Sequence, residues 1–232
     1  MDAIATDVWQ IKSPDLRMPG GIMLPLSATV LRLADRSLLV YSPIAFDDAA
    51  AAAIDAAGEV AHIVAPNRLH HMYAAAAKAR WPRAALYAAP GVTDKQPQLA
   101  VDHVLGDGAA APWGEAVALE LIGGVPKLSE AVLLHRPSGT LVCADLFFNI
   151  TRHKNLRTRL ALKLTGVGGG GLAQSRQWRW MRKDRAAAQA SAARILEWPI
   201  ARLLPCHGDP IEIDAAGLAP HMTRLCGKRA SG

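Results

Sequence analysis

"VAPNRLHHMYAAAA", residues 64–77, stands where an apolar run stops and an alanine-rich segment starts. The run Ala61–Ala65 is short and apolar and ends at Pro66, which reads as a buried strand. Alanine is the best helix former, so His70–Ala79 reads as a helix. Between the two lie Asn67, His70 and His71, polar groups among otherwise unreactive residues. Whether the two histidines are metal ligands or simply begin a helix depends on what the rest of the chain brings to them. Adjacent residues on a helix diverge by about 100°, so both imidazoles cannot face one ion.

Outward from this stretch the same pattern recurs. "TLVCA" runs into Asp145, and "RLLPC" runs into His207, followed by Gly208 and Asp209. Open α/β sheets collect ligands at the carboxyl ends of their strands. Three strand ends carrying His, Asp and His therefore point to one pooled site. Imidazole and carboxylate suit a borderline ion such as Zn²⁺ or Fe²⁺. Each residue also has a structural alternative. Asp145 could cap the segment after it, and His207 could be a buried histidine bonded to a carbonyl.

Other short apolar runs read as strands: Val8–Lys12, Thr29–Leu33, Leu38–Tyr41, Ala85–Ala88, Val117–Ile122, Ala131–His135, Thr140–Ala144 and Arg202–Cys206. Asp47–Ala57, Ala186–Glu197 and Ala215–Leu225 read as helices. A β-meander is followed by strand–helix–strand, more hairpin, a basic insert and helix–strand–helix. That order predicts an α/β (α+β) architecture in which sheets are covered by helices, with residues 1–232 as one domain.

Composition narrows the class. Apolar residues make up 51% and charged residues 20% of 232, ordinary for a globular protein with a sizeable core. No apolar run approaches the roughly 18 residues of a membrane span. "MDAIATDVWQIKSPD" has acids where a signal peptide has a basic region, so a cytoplasmic location is expected. Cys143, Cys206 and Cys226 are odd in number and widely spaced, suggesting neither a disulfide framework nor a thiolate zinc site.

The net charge of +6 is unevenly spread. Residues 151–185 hold ten Lys or Arg against one acid, Asp184, and the remainder is mildly acidic. Within this insert Leu156, Leu160, Leu164 and Val167 recur at helical spacing. "QSRQWRWMRKD" interleaves Trp178, Trp180 and Met181 with cations. The insert suits a lid over an anionic substrate, hinged at Gly168–Gly171. It equally suits a surface for anionic membrane or nucleic acid, or a helical cover with a solvated basic face and buried tryptophans.

The ordered features resemble the metallo-β-lactamase fold superfamily, and more closely an uncharacterised bacterial family within it that carries "APNxxHH" as its first motif. The similarity runs from about Val8 to Ile211. It implies a four-layer αβ/βα sandwich with a metal site at one edge and the basic helical insert at 151–185. The superfamily's first motif, His-x-His-x-Asp-His, here reads Asn67, Arg68, Leu69, His70, His71, Met72. Its next motif appears as "GGVPKLSE", with Val125 where the His belongs. The customary Asp-x-Gly after the early hairpin is replaced by "YSPIA", with Ser42. Asn67, Leu69 and Val125 fall on the positions of the first metal site, which the resemblance therefore implies is lost. His71, Asp145 and His207 fall on the second.

The resemblance thus implies at most one divalent ion, Zn or Fe, on His71, Asp145 and His207. One subclass of the superfamily with Asn at the first position works with a single zinc. Glu130, Asp209 and His70 are the candidates for proton transfer. The expected function is metal-dependent hydrolysis of an anionic small molecule. The alternatives are a non-catalytic binding protein that has lost the ion, or a nucleic-acid or membrane-associating protein acting through its insert.

Overall fold

The computed structural model describes residues 1–106, 113–152 and 154–226, without the side chains of 224–226. Strands are β1 (Asp2–Ala5), β2 (Val8–Lys12), β3 (Leu16–Met18), β4 (Ile22–Leu24), β5 (Ser27–Arg32), β6 (Leu38–Tyr41), β7 (Val60–Ala65), β8 (Ala85–Ala88), β9 (His103–Val104), β10 (Val117–Leu121), β11 (Ala131–His135), β12 (Thr140–Cys143), β13 (Arg202–Pro205) and β14 (Ile211–Glu212). Helices are α1 (Asp48–Ala57), α2 (Ala74–Arg80), α3 (Val92–Lys95), α4 (Leu156–Thr165), α5 (Arg176–Met181), α6 (Arg185–Leu196) and α7 (Ala215–Cys226).

Two mixed sheets form, in the orders β1-β2-β5-β6-β7-β8-β9 and β10-β11-β12-β13-β14, beside a separate β3–β4 hairpin. Alternation along the strands shows how they stack. Leu38 and Val40 of β6 pack with Ile54 of α1 and Ala77 of α2. Their neighbours Leu39 and Tyr41 point the other way and meet Leu133, Val142 and Leu204 of the second sheet. On that sheet Leu134, Leu141 and Leu203 face Ile195 of α6 and Leu218 of α7. With both sheet faces buried, β6 and β12 read as unbroken apolar runs. The layers are therefore helix, sheet, sheet, helix, the αβ/βα sandwich expected from the sequence.

The main strands and helices stand within one or two residues of their expected limits, but the decisive turn differs. Helix α2 starts at Ala74, and residues 70–73 form a turn before it. Cys143 and Cys206 are free, buried thiols; the side chain of Cys226 lies outside the described residues. Among the described residues no helix is long and apolar enough to cross a membrane.

The insert carries α4 and α5. Gly168 is a tight helix end: its N–H bonds the Leu162 carbonyl, and a side chain there would press on Leu162 and Lys163. No described residue of 151–185 lines the cavity beside the candidate site. Trp178 is buried, but Trp180 is exposed, as are Leu156, Leu160 and Leu164.

Candidate metal centre

Strands β12 and β13 are adjacent and parallel, with Cys143 paired to Pro205. Asp145 and His207 each follow that pair by two residues, so the ladder sets them side by side. Gly208 is required next to them. Its φ is +112°, and a side chain would collide with the Asn149 carbonyl. That close approach lets Asn149 N–H bond the His207 carbonyl, at 3.0 Å.

The first sheet brings the third group, and it is His70. His70, Asp145 and His207 each present a ligand atom within 4.8 Å of the others. His70 Nε2 lies 3.0 Å from His207 Nε2 and 3.3 Å from Asp145 Oδ2. His207 Nε2 lies 3.4 Å from Asp145 Oδ1. Ligands about 2.0–2.1 Å from a tetrahedral ion are roughly 3.3–3.4 Å apart, so the donor set fits a single ion.

Each imidazole is also held through its far nitrogen. His207 Nδ1 donates to the Pro25 carbonyl at 2.7 Å, which leaves Nε2 as a lone pair in the neutral ring. His70 Nδ1 is 2.7 Å from Ser42 Oγ. A hydroxyl both donates and accepts, so Ser42 serves either tautomer of His70. Fixing Nδ1 to orient Nε2 is how ligand histidines are aimed. Phe148 stacks on His207, with ring centroids 4.9 Å apart and planes 5° from parallel. Burial pushes the Asp145 carboxyl up. The charge and hydrogen bond of His70 and those of His207 outweigh this and hold it well below the usual carboxylate range.

Three sequence expectations are corrected. His71 is outside the group of three. It is buried and lines the cavity beside them, and its Nε2 has no hydrogen-bond partner. The assignment reversed the two histidines because the helix that would have oriented them begins later. Glu130 is not a base aimed at water. Its Oε1 accepts from the N–H groups of Ala144, Asp145 and Leu146 at 2.8, 3.0 and 3.0 Å, fixing the backbone that carries Asp145. Burial, then the charge of Asp145, push its own carboxyl up to about 8 against those bonds. Asp209 accepts from Thr151 at 2.5 Å and pairs with Lys12 at 3.5 Å, lining a separate cavity.

Two residues missed from sequence matter. Asn67 Oδ1 accepts from the N–H groups of Leu69 and His70, both at 2.8 Å, while its Nδ2 donates to Asp145 Oδ2 at 2.8 Å. One amide therefore shapes the turn and steadies the carboxylate. Ser42, in a left-handed conformation at φ 55° just past β6, positions His70. Their strand-end locations were the available signal. Leu69 lines the cavity and Val125 is buried under the outer helices.

A family model described as "Domain of unknown function (DUF4336)" matches residues 16–161, well over half of the chain. The chain belongs to this family. Among solved structures it is similar to DIM-1 metallo-β-lactamase exposed to ceftazidime, at 14% identity and TM-score 0.66, covering 97% of this chain and 94% of that one. It is also similar to the metallo-β-lactamase FIM-1 from Pseudomonas aeruginosa in its mono-zinc form, at 17% identity and TM-score 0.63, covering 98% and 94%. A third is the metal-soaked Flv1 flavodiiron core from Synechocystis sp. PCC6803, at 10% identity and TM-score 0.63, covering 98% and 60%. The DUF4336 chain therefore has the metallo-β-lactamase fold. No curated protein matches it in sequence.

Proposed function

We propose that this DUF4336 chain is a metal-dependent hydrolase using one divalent ion, Zn²⁺ or Fe²⁺, on His70, Asp145 and His207. The observation that carries the reading is the convergence of three donors whose imidazoles are both fixed through Nδ1. An ion with three protein ligands keeps a position open and supplies an acidified water and a Lewis acid. Ser42, the Pro25 carbonyl and Asn67 hold the ligands in place. Neither Glu130 nor Asp209 is placed to take a proton there.

The cavity beside the site has a volume of about 450 Å³ and a mainly apolar wall that includes Leu16, Met18, Leu24 and Leu69. Lys95 is a cation in that wall, and its ammonium donates to the Arg68 carbonyl. The substrate class supported best is an ester, amide or phosphoester with an apolar body, its anionic group, where present, meeting Lys95. Loss of the first-site ligands favours a second reading, a non-catalytic binder of similar molecules.

Purified protein reconstituted with Zn²⁺ or Fe²⁺ separates the two. Hydrolysis of p-nitrophenyl esters of increasing acyl length should require the ion, stop on chelation and stop in Asp145→Ala. Stoichiometric metal without turnover of esters, amides or phosphoesters would leave the binding role, and failure to retain either metal would remove the metal centre itself.

A further inference from the structure

Helix α4 turns a stripe of leucines to solvent that a helix merely covering a core would bury. Asn155 caps it, accepting from Thr158 N–H at 2.7 Å, and Gly166 ends it in a left-handed conformation. Its inward side is Thr158 and Leu162. Thr158 Oγ1 accepts from Met23 N–H at 2.9 Å, and Asn155 Nδ2 donates to the Gly21 carbonyl at 3.3 Å. The helix is thereby seated on the β3–β4 hairpin.

Leu156, Leu160 and Leu164 are 75%, 58% and 65% exposed. At 100° per residue they span roughly 80° of the helix, and their midline lies about 180° from that of Thr158 and Leu162. Lys163 stands on one border of the stripe and Arg157 on the other, about 20° from the nearest leucine, with Arg159 beyond Lys163. All three cations are exposed, and residues 151–165 contain no acid. Large apolar side chains aimed at solvent, bordered by long cationic ones, form the face that enters the headgroup boundary of a bilayer.

We propose that α4 docks this protein on an anionic lipid surface, with the three leucines inserted and Arg157, Arg159 and Lys163 on lipid headgroups. Charge complementarity selects this occupant. A second copy meeting the first through the same face would set one group of cations against the other. A nucleic acid would set phosphates against three alkyl side chains that offer neither charge nor stacking. The proposal is independent of the metal centre.

The test is co-flotation of the full chain with phosphatidylcholine vesicles, alone or with about 30% phosphatidylserine. The chain should bind the anionic vesicles, weaken as salt rises and ignore pure phosphatidylcholine. Leu156→Ser/Leu160→Ser/Leu164→Ser should lower binding roughly tenfold or more, and Arg159→Glu/Lys163→Glu should do likewise. Unchanged circular dichroism and Tm would show that both variants remain folded. Absence of binding to anionic vesicles, or binding that the leucine variant leaves intact, would overturn the proposal. So would leucine-dependent dimerisation by light scattering, or oligonucleotide binding tighter than vesicle binding.

Discussion

The two halves of the candidate site are built differently. Asp145 and His207 ride on neighbouring strands in register, so their separation follows from the ladder. His70 sits in a turn, where the Asn67 amide and the Ser42 hydroxyl hold it. The turn supplies bracing and cavity wall as well as a donor. Asn67 is a brace and Leu69 part of an apolar wall. Positions in a turn can change singly. Positions at paired strand ends share a backbone with the core, where a change disturbs more.

The sharpest way to break this comparison is to exchange the two histidines' fates. His70→Ala should lose the ion outright, whereas His71→Ala should keep close to one metal per chain by elemental analysis. The opposite pattern would return the ligand role to His71. Next in size is the strand-end half. Glu130→Ala leaves three buried N–H groups without an acceptor, which costs about 3 kcal/mol or more and should lower the Tm by roughly 6–12 °C. Burial pushes the Glu130 carboxyl up, and Glu130→Gln is close to isosteric and keeps an oxygen for the three N–H groups. That variant should shift the Tm by under about 4 °C; a fall matching that of the alanine variant would show that the charged form is the one bound. The smallest effect is expected in the turn. Asn67→Ala should cost about 1–3 kcal/mol and weaken metal retention roughly 10–100-fold, measured by chelator competition. Unchanged retention would reduce Asn67 to a purely local role.

Much of the fold was legible because apolar periodicity reports burial directly. Leu38–Tyr41 and Ala131–His135 were read to the residue, and Asp145 and His207 were found as the polar residues just beyond such runs. The choice between His70 and His71 was not legible, since it depends on where α2 begins. A turn sets side-chain directions that helical spacing cannot predict. Glu130 was misread because its partners are backbone N–H groups, which leave no mark in the sequence. The outward direction of Leu156, Leu160 and Leu164 was hidden for a related reason. Which side of α4 packs is decided by the β3–β4 hairpin, a distant element too short to announce itself.

The parallel pairing of β12 with β13 has a consequence for how such a protein can change. Whatever chain connects two such strands, short or long, must return to the same register, and the aspartate and histidine arrive together each time. The connector is thus a tolerant place for grafting new surface. The cationic helix carried on that connector can face a partner of its own while Asp145 and His207 keep their places.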